Sequence, residues 1–247
     1  MTRFTIILML ALSLLAAVTV PDTITVPILI AERVDANNHS VELVTVSRKI
    51  LDYIAHKSGM HIELHPYPWK RALMLAESGE FAIWGLSRTP EREHIFAFSH
   101  PVFSKNIWMI VRKDQTMEVR SIADLAGKHI SIFRGASYGA EFDKARAANL
   151  FTVEEDINSW ETRFNKLLAG RCDVMLAAST SVTPQKAALF FESQGFDSKQ
   201  MRVLEKPLFA DILYFAIKKS KVADFPMDRI NEAIDSGRAE IEHLTEE

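Results

Sequence analysis

Residues 69–101 read WKRALMLAESGEFAIWGLSRTPEREHIFAFSHP, and they compress a helix, a buried strand and a charged turn into one unit. Trp69, Ala72, Leu73 and Ala76 fall at i, i+3, i+4 and i+7, the spacing of one helical face. Gly79 stands where such a helix stops. Phe81 to Leu86 is apolar at every position except Gly85, as expected of a strand covered on both faces in a parallel sheet. Ser87, Arg88, Thr89 and Arg92 then leave the carboxyl end of that strand, where open α/β sheets bind their ligands. Thr89 is placed to cap a second helix with Pro90 at its first position. Arg92 falls in the first turn of that helix, beside unpaired N–H groups, and the combination favours an anion such as a carboxylate.

Around this unit, 247 residues of 48% hydrophobic content suffice for one large core or two small ones. Acidic and basic residues alternate to a net charge of -3, so there is no electrostatic footprint for nucleic acid. At the N-terminus Phe4 to Val20 carries no charge after Arg3, a run shorter than the roughly 20 residues a membrane-spanning helix needs. It reads as a secretory signal peptide over residues 1–20, with the mature start between Val18 and Thr23. Cys172 is the only cysteine, which rules out an intramolecular disulfide and a lipid-accepting cysteine near the leader; it is expected buried at the start of a strand as a small apolar group. Eight histidines include no HExxH and no Cys/His pair, so neither a metal nor another cofactor is expected.

Two βαβ-type blocks follow one another. The first runs from a strand over Ile24 to Ile30, through a helix with Leu43, Val46, Ile50, Leu51 and Ile54 on one face, to an alternating strand around Ile62 and Leu64 and then the unit quoted above. Pro27 is expected to weaken the first strand or to place it near an edge. The second begins after Arg112, Lys113 and Asp114. Ser121 with Asp124 forms a capping-box pattern, Lys128 to Phe133 reads as a strand, and a helix passes through Phe142 and Ala145. Asn158 with Glu161 is placed to cap a helix whose Trp160, Phe164, Leu167 and Leu168 make an apolar stripe, and a strand follows over Cys172 to Ala177. Trp69 precedes Gly79 by ten residues and Trp160 precedes Gly170 by ten, each pair bracketing a helix that feeds a buried strand, which suggests two lobes of similar build. Leu204 to Lys218 is again strand-like, and a C-terminal helix carries Met227, Ile230 and Ile234.

PWKRAL at 68–73, GLSRTPERE at 85–93 with FAFSHPVF following, SIADLAGKHISIFRGASYG at 121–139 and LLAGRCDVM at 167–175 together resemble the periplasmic solute-binding proteins of family 3, the polar amino-acid type of ABC-transporter receptor. The resemblance runs from about Thr23 to the C-terminus. It implies an α/β, two-lobed, type II periplasmic-binding fold, each lobe a mixed, mostly parallel sheet flanked by helices, with two crossovers, at Ile107 to Lys113 and Val203 to Tyr214. Lobe 1 would comprise residues 21–110 and 205–247, lobe 2 residues 111–204. It implies a monomeric periplasmic receptor that captures a small carboxylate-bearing solute by hinge closure, without covalent chemistry, and passes it to the membrane permease of an ABC importer or to a sensor.

The resemblance also implies ligand-binding residues. TPER at 89–92 matches the family turn whose arginine holds a ligand carboxylate, which assigns that role to Arg92, and Ser87 matches a hydrogen-bond donor to the same group. The turn Gly135, Ala136, Ser137, Tyr138 lies between a strand and a helix, where free N–H groups bind an anion; the family uses this turn so, through a hydroxyl residue at Ser137. Trp69 stands between a strand's end and a helix's start and is expected to face the ligand, whereas Trp84 is expected to be packing and Arg88 solvated or bridging. The carboxylate with which amino-acid receptors hold an ammonium group is replaced by Ala178, and the aromatic they place after the first strand is missing from AERVDANN at 31–38, where Glu32 offers the remaining partner for a cation. Gly135 to Gly139 also spells G-x-S-x-G, a hydrolase pattern, but the only downstream histidine is His243, in a charged tail, so no catalytic residues are expected. The alternative is an enzyme on the same scaffold, similar to a cyclohexadienyl dehydratase, which would need an acid and a base in the cleft.

Overall fold

The computed structural model of the chain describes residues 24–34, 40–41, 45–156 and 159–246; the expected signal peptide and Asn158 lie outside them. The first half comprises β1 (Ile24–Ala31), a short ribbon of β2 (Arg33–Val34) and β3 (Ser40–Val41), α1 (Thr45–Ser58), β4 (Met60–Tyr67), α2 (Trp69–Ser78), β5 (Ala82–Ser87), α3 (Pro90–Ile95) and β6 (Phe96–Phe98). The long strand β7 (Phe103–Arg112) leads into the second half: a 3-10 turn over Ile122–Leu125, β8 (His129–Phe133), α4 (Ala140–Ala147), β9 (Thr152–Asp156), α5 (Trp160–Leu168), β10 (Val174–Ser179), α6 (Pro184–Ser193) and β11 (Met201–Val203). A second long strand, β12 (Phe209–Lys218), returns to the first half, where α7 (Met227–Ser236) and α8 (Arg238–Glu246) complete it.

One curled sheet of order β4-β1-β5-β12-β7-β10-β8-β9 runs through both halves. β4, β1 and β5 are parallel, as are β9, β8 and β10. The two long strands between these blocks are antiparallel to each other and to β5 and β10. β12 pairs with β7 from Phe209↔Ile107 to Leu213↔Phe103, so a paired ribbon forms the two chain crossings. Side chains leave β7 alternately, Ile107, Met109 and Val111 into one core with Ile130, Phe142 and Leu176, and Trp108 and Ile110 into another with Phe164, Leu167 and Phe191. That two-sided burial explains the unbroken apolar runs. In lobe 1 the same division puts Ile28, Trp84 and Phe215 against α1, α7 and α8, and Leu29, Ile83 and Ala216 against α2.

The helix punctuation follows the sequence. Gly79 closes α2 in a left-handed conformation, φ 86°, that a Cβ would strain. The Thr89 hydroxyl accepts from the Arg92 N–H, with Pro90 at the first helical position of α3. The Ser121–Asp124 capping box is present. Three details differ from expectation. β1 is an interior strand, with β4 on one side and β5 on the other; β5 joins it only at Ile28 and Leu29, so the donor that Pro27 lacks falls before that ladder begins. The cap of α5 is Ser159, whose hydroxyl accepts from the Thr162 N–H at 3.1 Å. The strand expected from Cys172 begins at Val174. No helix among the described residues is long and apolar enough to cross a membrane.

Cys172 is 1% exposed within the core of lobe 2, and burial pushes its thiol up from 9.0 to about 11. Native protein at pH 8 is therefore expected to resist iodoacetamide while urea-unfolded protein is alkylated fully, because the thiolate is the nucleophile. The folded-state value is the higher one, so the thiol's contribution to stability is complete below pH 9 and is lost as pH rises towards 11. Equal alkylation rates in native and unfolded protein would contradict this.

Candidate functional site

Trp69 opens α2 directly after Pro68, and its indole is 8% exposed among Leu29, Ala72, Ala76 and Ile83. From there its Nε1–H donates to the carbonyl of Gly135 at 3.1 Å, in the turn that follows β8. The same carbonyl accepts from Arg92 Nη2 at 3.2 Å, while Arg92 Nη1 donates to the Ser87 carbonyl at 3.0 Å. Two donors of lobe 1 thus converge on one main-chain acceptor of lobe 2. Gly135 has φ 77°, a backbone conformation that suits glycine, whereas an added Cβ would make only an ordinary contact, 3.5 Å from Trp69 Cδ1.

Beside this contact a cavity of about 250 Å³ opens between the halves. Its lobe 1 wall includes Glu32, Trp69, Trp84 and Ser87, its lobe 2 wall Ala136, Ser137, Tyr138, Trp160, Arg163 and Ala178, and Lys105 and Asp211 reach it from the crossing strands. Trp84 and Phe103 stack at 5.8 Å, and Trp160 meets Phe190 edge-on at 5.9 Å, so aromatic rings line both sides. The polar groups are fewer and are held in place. Asp211, 7% exposed, accepts from the Ser87 hydroxyl at 2.8 Å and lies 3.5 Å from Lys105 Nζ. Lys105 and Asp211 are partners across the β7–β12 ladder. Burial lowers the pKa of Arg163 and of Arg92, the latter offset in part by Asp211. Burial also raises that of Tyr138, whose hydroxyl oxygen accepts from the Phe133 N–H at 2.9 Å.

A sequence profile of the bacterial extracellular solute-binding proteins, family 3, matches residues 36–158. The chain belongs to this family. Its structure superposes on an ancestral arginine-binding protein bound to arginine with a TM-score of 0.70 at 19% identity, covering 90% of this chain and 96% of that one. For the amino acid ABC transporter substrate-binding protein AbpA from Streptococcus pneumoniae, bound to L-arginine, the TM-score is 0.69 at 19% identity, with 90% and 93% covered. For a putative L-cystine ABC transporter protein from Listeria monocytogenes it is 0.68 at 18%, with 91% and 95% covered. At these identities the likeness is one of fold, the type II periplasmic-binding fold. No curated protein is similar in sequence.

In this family 3 protein the cavity brings together Glu32, Trp69, Ser87, Ala136, Ser137 and Tyr138. Arg92 is not among the lining residues; its guanidinium bonds the carbonyls of Ser87 and Gly135. The Ser87 hydroxyl has a single proton, and it is engaged by Asp211. Trp84, expected as packing, both packs against Phe215 and lines the cavity. Arg88 bridges to Glu93. Ser137 Oγ accepts from the Gly139 N–H at 3.5 Å, and among the described residues no histidine lines the cavity beside the G-x-S-x-G turn.

Lys105, Asp211 and Arg163 are site residues that pattern reading passed over. Two of them left a signal. Arg163 falls on the apolar stripe of Trp160, Phe164 and Leu167, and Asp211 is the one charge in FADILYF at 209–215; a lone charge on a buried face requires a partner or a function.

Proposed function

We propose that the protein is a periplasmic receptor, matured by loss of its signal peptide, that captures a small carboxylate-bearing, amino-acid-like solute for ABC-type import. Lobe 1 comprises residues 21–110 and 205–247 and lobe 2 residues 111–204, and they close over the solute by bending the paired β7–β12 crossing. The observation that carries this reading is the Gly135 carbonyl held by Trp69 and Arg92 at the cavity's edge, a contact that exists only when the lobes are together. Rings for the body of a solute and charges of both signs in one enclosed space fit a zwitterion better than a neutral metabolite. The arginine carried by two of the solved neighbours agrees with this, since Glu32 and Asp211 supply carboxylates for a cationic group. Capture requires no bond to be made or broken.

A thermal-shift screen of amino acids, organic acids, peptides and polyamines tests the reading, because a ligand that binds only folded protein raises its melting temperature. The solute so found is expected to reduce the radius of gyration in small-angle scattering. Arg92→Ala removes the charged donor from the Gly135 and Ser87 carbonyls and is expected to weaken binding about tenfold by calorimetry while leaving the fold intact. Wild-type affinity in Arg92→Ala would rule out a part for this contact in capture.

A further inference from the structure

The lobe 2 wall of the cavity holds a cation that no carboxylate among the described residues meets directly. Arg163 is 2% exposed and lines the cavity. Its Nε donates to Ser131 Oγ at 3.0 Å, and its Nη2 donates to the carbonyls of Ser131 at 2.8 Å and Leu176 at 2.6 Å. All three acceptors are neutral. The carboxylate in this network, Asp156, is reached only through the Ser131 hydroxyl, which donates to Asp156 Oδ2 at 3.0 Å, and Asp156 Oδ1 already carries Lys166. Nη1 makes no hydrogen bond to a described residue. A buried guanidinium with unused donors and no adjacent carboxylate among the described residues is costly to keep. Packing gives no reason to keep it, since leucine would fill the stripe between Trp160 and Leu167 without that cost.

From this geometry we infer that Arg163 is the anchor for the anionic group of the solute, with a carboxylate in the cavity accepting from Nη1. Ser131 and Asp156 are positioning residues that fix the other edge of the guanidinium. The inference rests on the receptor reading above and adds a polarity to it. The anion faces lobe 2, beside the uncharged Ala178, and the cationic or hydroxyl end of the solute faces Asp211 and Glu32. Trp160, the first residue of α5, also lines the cavity, so the positive end of that helix borders the same wall and adds to the attraction. Arg92, engaged with main-chain carbonyls, then acts on closure.

The test begins with calorimetric titration of the mature chain with the proteinogenic amino acids, phenylacetate, succinate and citrate. Each acid that binds is then compared with its primary carboxamide, which has nearly the same shape and lacks the negative charge of that carboxylate. The amide is expected to bind at least about 30-fold more weakly than the acid, and Arg163→Met to bind the acid at least about 30-fold more weakly than wild type. Ser131→Ala, which keeps the charge and the two carbonyl bonds of Nη2 but removes the acceptor of Nε and the link to Asp156, is expected to fall between wild type and Arg163→Met, so the case is decided even if Arg163→Met does not fold. An amide as tight as its acid overturns the inference and leaves the receptor intact. So does wild-type affinity for the acid in Ser131→Ala, or in folded Arg163→Met. Binding of none of these probes overturns the carboxylate-receptor reading itself.

Discussion

Trp69→Ala is expected to abolish measurable solute capture and to lower stability by about 3 kcal/mol. The indole is 8% exposed in the core beneath α2, so truncation leaves a void that the surrounding helix and strand can only partly fill. Its other edge is cavity wall, and its Nε1–H is one of the two donors to Gly135. One substitution therefore removes a core ring, a stretch of cavity wall and half of the paired contact on the Gly135 carbonyl. Trp69→Phe separates these roles: the ring stays, the donor goes, and the expected loss is about 1 kcal/mol in stability and severalfold in affinity. Urea unfolding and calorimetry on both variants read the two effects apart. Near-wild-type affinity in Trp69→Ala would place the solute elsewhere.

Asp211→Ala is expected to cost about 2 kcal/mol, because it strands the Ser87 hydroxyl and leaves Lys105 without its cross-strand partner. Lys105 is about a quarter exposed, which lets water recover part of the loss. Asp211→Asn keeps an acceptor for Ser87 and removes only the charge. For a zwitterionic solute whose cationic end meets this carboxylate, affinity is expected to fall about tenfold or more in Asp211→Asn. A rise in affinity instead would identify a solute with no positive group and would correct the amino-acid-like reading.

The fold was legible because periodicity, caps and breakers agreed with one another. Trp69 to Gly79, the Thr89–Pro90 start and the Ser121–Asp124 box each fall where a local physical rule puts them. What was misread is set by neighbours distant in sequence. Whether Pro27 lies at an edge depends on where β5 joins β1. The cavity was half legible. Trp69, Ser87 and the Ala136 to Tyr138 turn lie at the ends of elements, where sequence exposes the cavity-lining positions. Arg163 and Asp211 lie inside elements, and only the folded register shows that their side of the helix or strand borders a cavity. Arg92 shows the converse limit: its motif places the backbone correctly, but a long side chain selects its partners in three dimensions, and here it takes two carbonyls.

The contact at Gly135 has a consequence for how such a receptor changes its preferences over time. In the receptor proposed above, the group that reports closure on the lobe 2 side is a backbone oxygen, which every amino acid possesses, so the closing signal has no side chain there to lose. The proposal places selectivity in other atoms, at Arg163, Asp211 and the rings other than Trp69. In such a receptor, substitutions at those positions would redirect the protein to a new solute while Trp69 and Arg92 continue to grip the same oxygen, so recognition would drift without disturbing the shape that the proposed membrane partner reads.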